Sequence, residues 1–173
     1  MIIAEQQATE FIQNYTKIMV QINDLSRDKP KTELLEAIVS ARSMYCADRS
    51  LLDLALRELE AKSVSIQQEV VAAVRGIEVK KWVYLKDTRS HSVFIDPSYT
   101  MAYGVLGLTN RLRDIMGGTG AFVETGILRF HGHYIADGIV SHVVWIGSNM
   151  RKELKEVFAE LRTQGKYYKD FES

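Results

Sequence analysis

Cysteine is all but missing from this chain: Cys46 stands alone among 173 residues. No internal disulfide can form, and no CxxC pair is present to hold a structural zinc, a pattern that suits a reducing compartment. Cys46 follows Met44 and Tyr45 near the end of a helical stretch, with no histidine close in sequence, so it is expected to be a half-buried packing residue. Long apolar runs are also missing. No uninterrupted stretch approaches the ~18 residues of a membrane-spanning helix, and the opening MIIAEQQATEF has neither the basic region nor the apolar core of a signal peptide. The expectation is a cytoplasmic protein off the membrane. An excess of either charge is missing too: Lys+Arg and Asp+Glu are both 22. Nucleic-acid coats usually carry a basic excess, so nucleic acid is not an expected partner. Neutrality lowers the repulsion between copies, which favours a homodimer or another homo-oligomer.

Glycine is missing from the first 75 residues, which hold a single proline, Pro30. Ten of the eleven glycines fall between Gly76 and Gly147, and the last is Gly165. Glycine is costly inside helices and useful in turns and close strand contacts. The spacing of apolar residues changes at the same place. Ala4, Ala8, Phe11, Tyr15, Ile18, Ile22 and Leu25 alternate by four and three, which predicts a helix over 4–23. The break 25–30 follows, with Pro30 placed as a first-turn proline. A second helix is expected over 31–47 and a third over 51–74, either continuous or as two shorter pieces. Ser50 and Asp53 form a weak capping box at the start of the third. Region 1–75 is therefore expected to be an antiparallel helical bundle of about three helices, completed by dimerisation.

Beyond Gly76 the period falls toward two. Strands are expected over 79–86, 91–96, 101–108, 121–130 and 134–146, with turn signals at His131-Gly132 and Asp137-Gly138. Thr109 is placed to cap a short helix over 110–116, which Gly117-Gly118-Thr119-Gly120 ends. A closing helix over 149–164 has Gly165 just past its end, and the aromatic tail 166–171 is free to dock on the sheet. The fold class is α+β: a helical region 1–75, then a mostly antiparallel five-stranded sheet and a closing helix in 76–173.

Three of the four histidines lie between His131 and His142. Residues two apart on a strand share a face, so His131 and His133 are candidate metal ligands or acid–base groups, with Asp137 or His142 as a third ligand. A metal-bound water would then give hydrolysis. The plain alternative is a hairpin turning at Gly132 between two solvated histidines. A second cluster is Ser148, Asn149, Arg151 and Lys152. A helix start attracts anions, and basic residues there suit an acidic or phosphate-bearing ligand; the alternative is a solvated helix face. Arg129, His131, His133 and Tyr134 complete the candidate binding set. The glycine-rich loop 117–120 follows a helix and precedes a strand, the reverse of a phosphate loop. Trp82, Tyr84, Tyr99, Tyr103 and Trp145 are candidates for a groove, though aromatics at strand spacing are usually core. No nucleophile elbow, zinc-protease helix or dinucleotide fingerprint is present, and no cofactor is implied. The reading is a non-enzymatic binding or regulatory protein that self-associates through its helices. The alternatives are a small-molecule or nucleotide hydrolase near His131, His133 and Asp137, and a pocket protein that sequesters a ligand without turnover.

Overall fold

The computed structural model describes residues 1–26 and 29–171. Arg27 and Asp28, in the expected break before Pro30, lie outside the described residues. The backbone divides into two compact units. One is Gln6–Gly76; the other joins Met1–Glu5 to the chain from Ile77 onward.

The first unit is helical. Four helices replace the expected three or so: α1 (Glu5–Asp24), α2 (Leu34–Ala47), α3 (Leu51–Ala61) and α4 (Gln68–Arg75). The third expected helix breaks because Ser63 turns left-handed (φ 58°) and the Val64 N–H closes back on the Leu59 carbonyl at 2.9 Å. A non-glycine residue in that conformation leaves little trace in sequence. Helix α2 starts three residues later than expected, so Pro30 is not in its first turn. The Asn23 side chain instead holds Lys31, donating to its carbonyl and accepting from its N–H, both at 3.1 Å. Ser50 does not cap α3; its hydroxyl donates to the Asp48 carboxylate at 2.6 Å. Cys46 is exposed rather than half-buried, one position round the helix from the buried Tyr45. Side chains tie the helices together. The Tyr45 hydroxyl donates to the Val74 carbonyl (3.2 Å), Asn14 accepts from the Gln67 N–H (3.2 Å), and Lys62 donates to Gln21 (2.7 Å).

The second unit is a mixed sheet of six strands: β1 (Glu78–Asp87), β2 (Ser92–Ile95), β3 (Ala102–Leu106), β4 (Ala121–Phe130), β5 (His133–Trp145) and β6 (Tyr167–Tyr168). Two helices interrupt it, α5 (Leu112–Met116) and α6 (Ser148–Thr163). The order is β2-β1-β4-β5-β3-β6, and β2 also pairs with β3. The first five strands therefore close into a ring. Four seams are antiparallel; the β3–β5 seam is parallel and only two residue pairs long, Val105↔Tyr134 and Leu106↔Ile135. A small five-stranded barrel with one loose seam is the OB-type architecture. The expectation of five mostly antiparallel strands is corrected on two points. The barrel contains a parallel closure, and the tail adds β6, parallel to β3 through Ala102↔Tyr167 and Tyr103↔Tyr168.

Alternation along the strands separates two cores. Trp82, Tyr84, Phe94, Val105, Ile127, Tyr134 and Ala136 point inward and fill the barrel with Leu112 of α5. Val83, Leu85, Val93, Ile95 and Ala102 point outward and are covered by Leu154, Phe158 and Leu161 of α6. Expected caps differ in detail. Arg111, not Thr109, precedes α5, while Gly117 ends it at φ 78°. Gly147 precedes α6, and Gly165 follows it at φ 70°.

Candidate ligand-binding site

Strands β4 and β5 meet through His131 (φ 47°) and Gly132 (φ 80°). Positive φ at both turn residues is what a two-residue type I′ hairpin requires, and it matches the right-handed strand twist. The turn also decides where the histidines go. His131 is a turn residue rather than a strand residue, so strand alternation does not put it beside His133. Its half-buried ring packs edge-on to Phe130, centroids 4.3 Å apart. His133 opens β5, and its Nδ1 lies 2.9 Å from the Asp170 carboxylate.

Asp137 is not in a turn. It lies inside β5, where the register jumps: Thr125 faces Val140 and Ile127 faces Ala136, so three residues of β5 oppose Gly126 alone. Gly138 takes φ 84° at this bulge. The Asp137 carboxylate, 4% exposed, accepts from the Ile139 N–H (3.0 Å), the Gly126 N–H (3.3 Å) and the Thr125 hydroxyl (3.4 Å). It is a clasp for the irregular backbone. Four residues of strand separate it from His133, roughly 13 Å. His142 marks a second bulge at φ 50° and is exposed, 3.6 Å from Glu124. Among the described residues, no trio of His, Cys, Asp or Glu ligand atoms that includes His133, Asp137 or His142 lies within 4.8 Å of one another. The proposed metal triad of His131 and His133 with Asp137 or His142 is therefore not assembled.

The second expected cluster is elsewhere. The Arg151 guanidinium lies over Gly120, where a Cβ would come within 2.0 Å of its Nη2, and it donates to the Thr119 carbonyl at 2.6 Å. Gly120 at φ 86° leaves the space that Arg151 fills. Ser148, Asn149 and Lys152 are exposed on the first turn of α6. Arg151 thus meets the chain just before Ala121, the first residue of β4, whereas Arg129 is eight residues along that strand, roughly 27 Å away. The two arginines do not serve one site.

What the fold does bring together lies at the hairpin end of the barrel. Arg129 is exposed, with its guanidinium carbon 5.8 Å from the Tyr134 ring centroid and 5.7 Å from that of Phe171. Among the described residues no carboxylate pairs with it. The rings continue inward: Phe171 meets Tyr134 (5.8 Å), Tyr134 meets Tyr103 (5.1 Å), and Tyr103 meets Trp82 edge-on (5.7 Å) and Tyr168 (5.9 Å). Burial is the main cause that raises the Tyr103 hydroxyl to about 12, so it stays a neutral donor near pH 7. Nearby, His91 at the end of the β1–β2 turn has its pKa lowered, chiefly by burial, with Lys169 and His133 adding to that and Asp170 opposing it. Gly104 leaves room for the approach; a Cβ there would stand 3.0 Å from both the His91 ring and the Tyr167 hydroxyl.

Of the sequence candidates, Arg129, His133 and Tyr134 share this end. Sequence reasoning missed His91, Gly104, Asp170 and Phe171 as its companions. The tail aromatics were the one available signal, since a residue 40 positions away joins only through topology. Of the five aromatics suggested for a groove, Trp82 and Tyr84 are buried in the barrel core with Tyr103 packed against them, while Trp145 and Tyr99 lie apart from that cluster. No family model, curated protein or solved structure matches the chain.

Proposed function

We propose that this chain is a non-enzymatic binding protein that takes an acidic or phosphate-bearing ligand at the hairpin end of its barrel, with Arg129 as the anion fork and His133 beside it. One observation carries this reading. Arg129 lies beside the Tyr134 and Phe171 rings, with no carboxylate partner among the described residues. An exposed arginine is ordinarily solvated and mobile. Two cation–π contacts restrain it here, so less side-chain freedom is lost when the fork meets two oxygens. The Phe171 ring beside the fork is half-buried, so part of it is open to a planar ligand.

Turnover is the weaker reading. The His133–Asp170 pair resembles the oriented half of a catalytic triad, yet among the described residues no serine, threonine or cysteine is bonded to His133. Asp137 is engaged by the bulge. A closed pocket is weaker as well. A cavity of about 300 Å³ is present in the helical unit between Leu56, Val64, Ile66 and Val71, at the small end for a ligand site, and it opens to solvent.

The test is calorimetry against inorganic phosphate, pyrophosphate and a nucleotide panel, with product analysis on the same samples. Arg129→Ala should weaken binding of the preferred anion by about 10-fold or more, the scale of one charge-assisted fork. Equal binding by this variant, or conversion of the ligand, refutes the reading.

A second reading concerns assembly, and α2 favours it. That helix is apolar nearly all round, yet Leu34 is 56% and Leu35 69% exposed, with Val39 and, on α3, Leu54 also open. Helices apolar on every side are normally buried. Self-association through this face is the economical explanation, and Leu35→Glu should lower the mass measured by light scattering.

A further inference from the structure

We infer that the C-terminal strap 166–171 is a latch-held lid on the Arg129 site: the His133–Asp170 pair shuts it, and shutting it sets Phe171 against the arginine. This rests on the anion-binding reading above and adds how that site is gated.

After Gly165 the chain returns over the barrel and is fastened at two places. At the first, the Ala102 N–H donates to the Lys166 carbonyl at 2.9 Å, and Tyr167 and Tyr168 run parallel to β3. At the second, the Phe171 N–H donates to the Gly132 carbonyl at 3.0 Å, and Asp170 bridges antiparallel to His133. Tyr167 and Phe171 are half-buried, Tyr167 edge-on to Phe158 with centroids 5.0 Å apart. Lys166, Tyr168, Lys169 and Asp170 are exposed. A segment with few buried apolar contacts and open backbone hydrogen bonds detaches at a lower free energy than the barrel beneath it unfolds.

Alternation gives the two sides of the strap different tasks. Bridged residues of an antiparallel pair carry their side chains on one face, and successive residues alternate. Asp170 therefore sits on the face of His133, with a carboxylate oxygen 2.9 Å from Nδ1. Phe171 goes to the other face, where Tyr134 is paired with Arg129. There its ring centroid is 5.8 Å from that of Tyr134 and 5.7 Å from the Arg129 guanidinium carbon. An ion pair on one face thus holds an aromatic wall on the other. With the strap open, Arg129 keeps Tyr134 and loses Phe171. A ligand that touches both Arg129 and Phe171 binds the shut form better and shifts the strap toward it. Latch and ligand therefore act on one equilibrium. The latch is also weak enough to open: its side chains are 38% and 63% exposed, and pairs this open to water shift an equilibrium by up to about 5-fold.

Amide exchange followed by NMR on the full chain reads the strap directly. Without ligand, Asp170→Ala should speed exchange of the Phe171 and Ala102 N–H groups by about 2- to 5-fold. Both should change by the same factor, since each is bonded across one end of the strap, while Val123 inside the barrel should not change. His133→Ala should act alike, and the double variant should exchange no faster than either single one. Saturating adenosine diphosphate should slow both N–H groups in the parent. An increase confined to Phe171 is fraying of an end, and that result, or no increase at all, overturns the lid. Calorimetry with the same nucleotide on Arg129→Ala keeps the two ideas apart. Equal binding by that variant, or no binding by the parent, removes the anion-binding reading and the lid with it. Binding that needs Arg129 yet leaves both strap amides unprotected removes the lid alone.

Discussion

Replacing Asp137 by alanine discriminates between structure and chemistry at one of the residues the sequence offered as a catalytic candidate. Its carboxylate, 4% exposed, accepts from two backbone N–H groups and one hydroxyl at the β5 bulge. Alanine leaves the Gly126 and Ile139 N–H groups without that acceptor in a site closed to water. Each buried donor left unmade costs about 1–3 kcal/mol, so the variant should lose about 2–6 kcal/mol. For a chain of this length that corresponds to a melting shift of roughly 5–20 °C, followed by circular dichroism and by urea titration. An asparagine at this position would keep one acceptor oxygen, so Asp137→Asn should cost less than half as much. Gly126 sharpens the test. A Cβ there would meet the Asp137 Oδ2 at 2.5 Å and the Ile77 Cδ1 at 2.6 Å, so Gly126→Ala should cost about 1–3 kcal/mol through overpacking. In combination with Asp137→Ala the two losses should fall short of their sum, because the first substitution removes part of the clash. A catalytic or metal-binding Asp137 behaves differently: Asp137→Asn would abolish activity or metal uptake at little cost to stability. An Asp137→Ala variant within about 0.5 kcal/mol of the parent, the scale of a neutral surface change, refutes the clasp.

Two further outcomes follow from the geometry. The folded-state pKa of His91 is lowered, chiefly by burial, so between that value and about 6.5 the unfolded chain binds the extra proton; stability should therefore fall as pH drops below about 6.5, and urea titrations at pH 7.5 and 5.5 should give a smaller loss for His91→Gln than for the parent. Arg151 packs on Gly120 and bonds the Thr119 carbonyl, so Arg151→Ala should cost about 1–3 kcal/mol and leave phosphate affinity unchanged; weaker phosphate binding with unaltered stability would return Arg151 to the anion-binding role expected from sequence.

The change of apolar spacing near position 76 was legible, because helix and strand periods differ in any single chain. So was the hairpin at His131-Gly132, whose residue types suit positive φ. What escaped was long-range or irregular. Asp137-Gly138 reads as a turn, since the same pair serves a bulge as well as a hairpin, and only the partner strand decides between them. The break at Ser63 has no glycine to announce it. The parallel β3–β5 closure depends on strand order, which local pattern does not encode. Arg151 followed the rule that basic residues at a helix start seek anions, yet a carbonyl and a bare glycine met that need inside the protein. The pairing of His133 with Asp170 required knowing that the tail returns to the barrel.

That return also limits what this barrel can bind. OB-type barrels commonly use the outer face of their second and third strands, with the flanking β1–β2 and β4–β5 loops, to hold oligonucleotides. Here the outward residues Val93, Ile95 and Ala102 are covered by Leu154, Phe158 and Leu161 of α6, and β6 lies along β3. Between the two loops, Tyr167 and His91 crowd Gly104, and Asp170 adds a negative charge beside His133. A long polyanion laid across that face would have to displace a packed helix and meet a carboxylate. Arg129 is outside this covered zone, on the inward-facing register of β4 at the barrel mouth. Arg129 is exposed, so the small anionic ligand proposed above would not need to move α6. On the proposed reading, the C-terminal segment packed onto the barrel therefore favours a ligand smaller than an oligonucleotide.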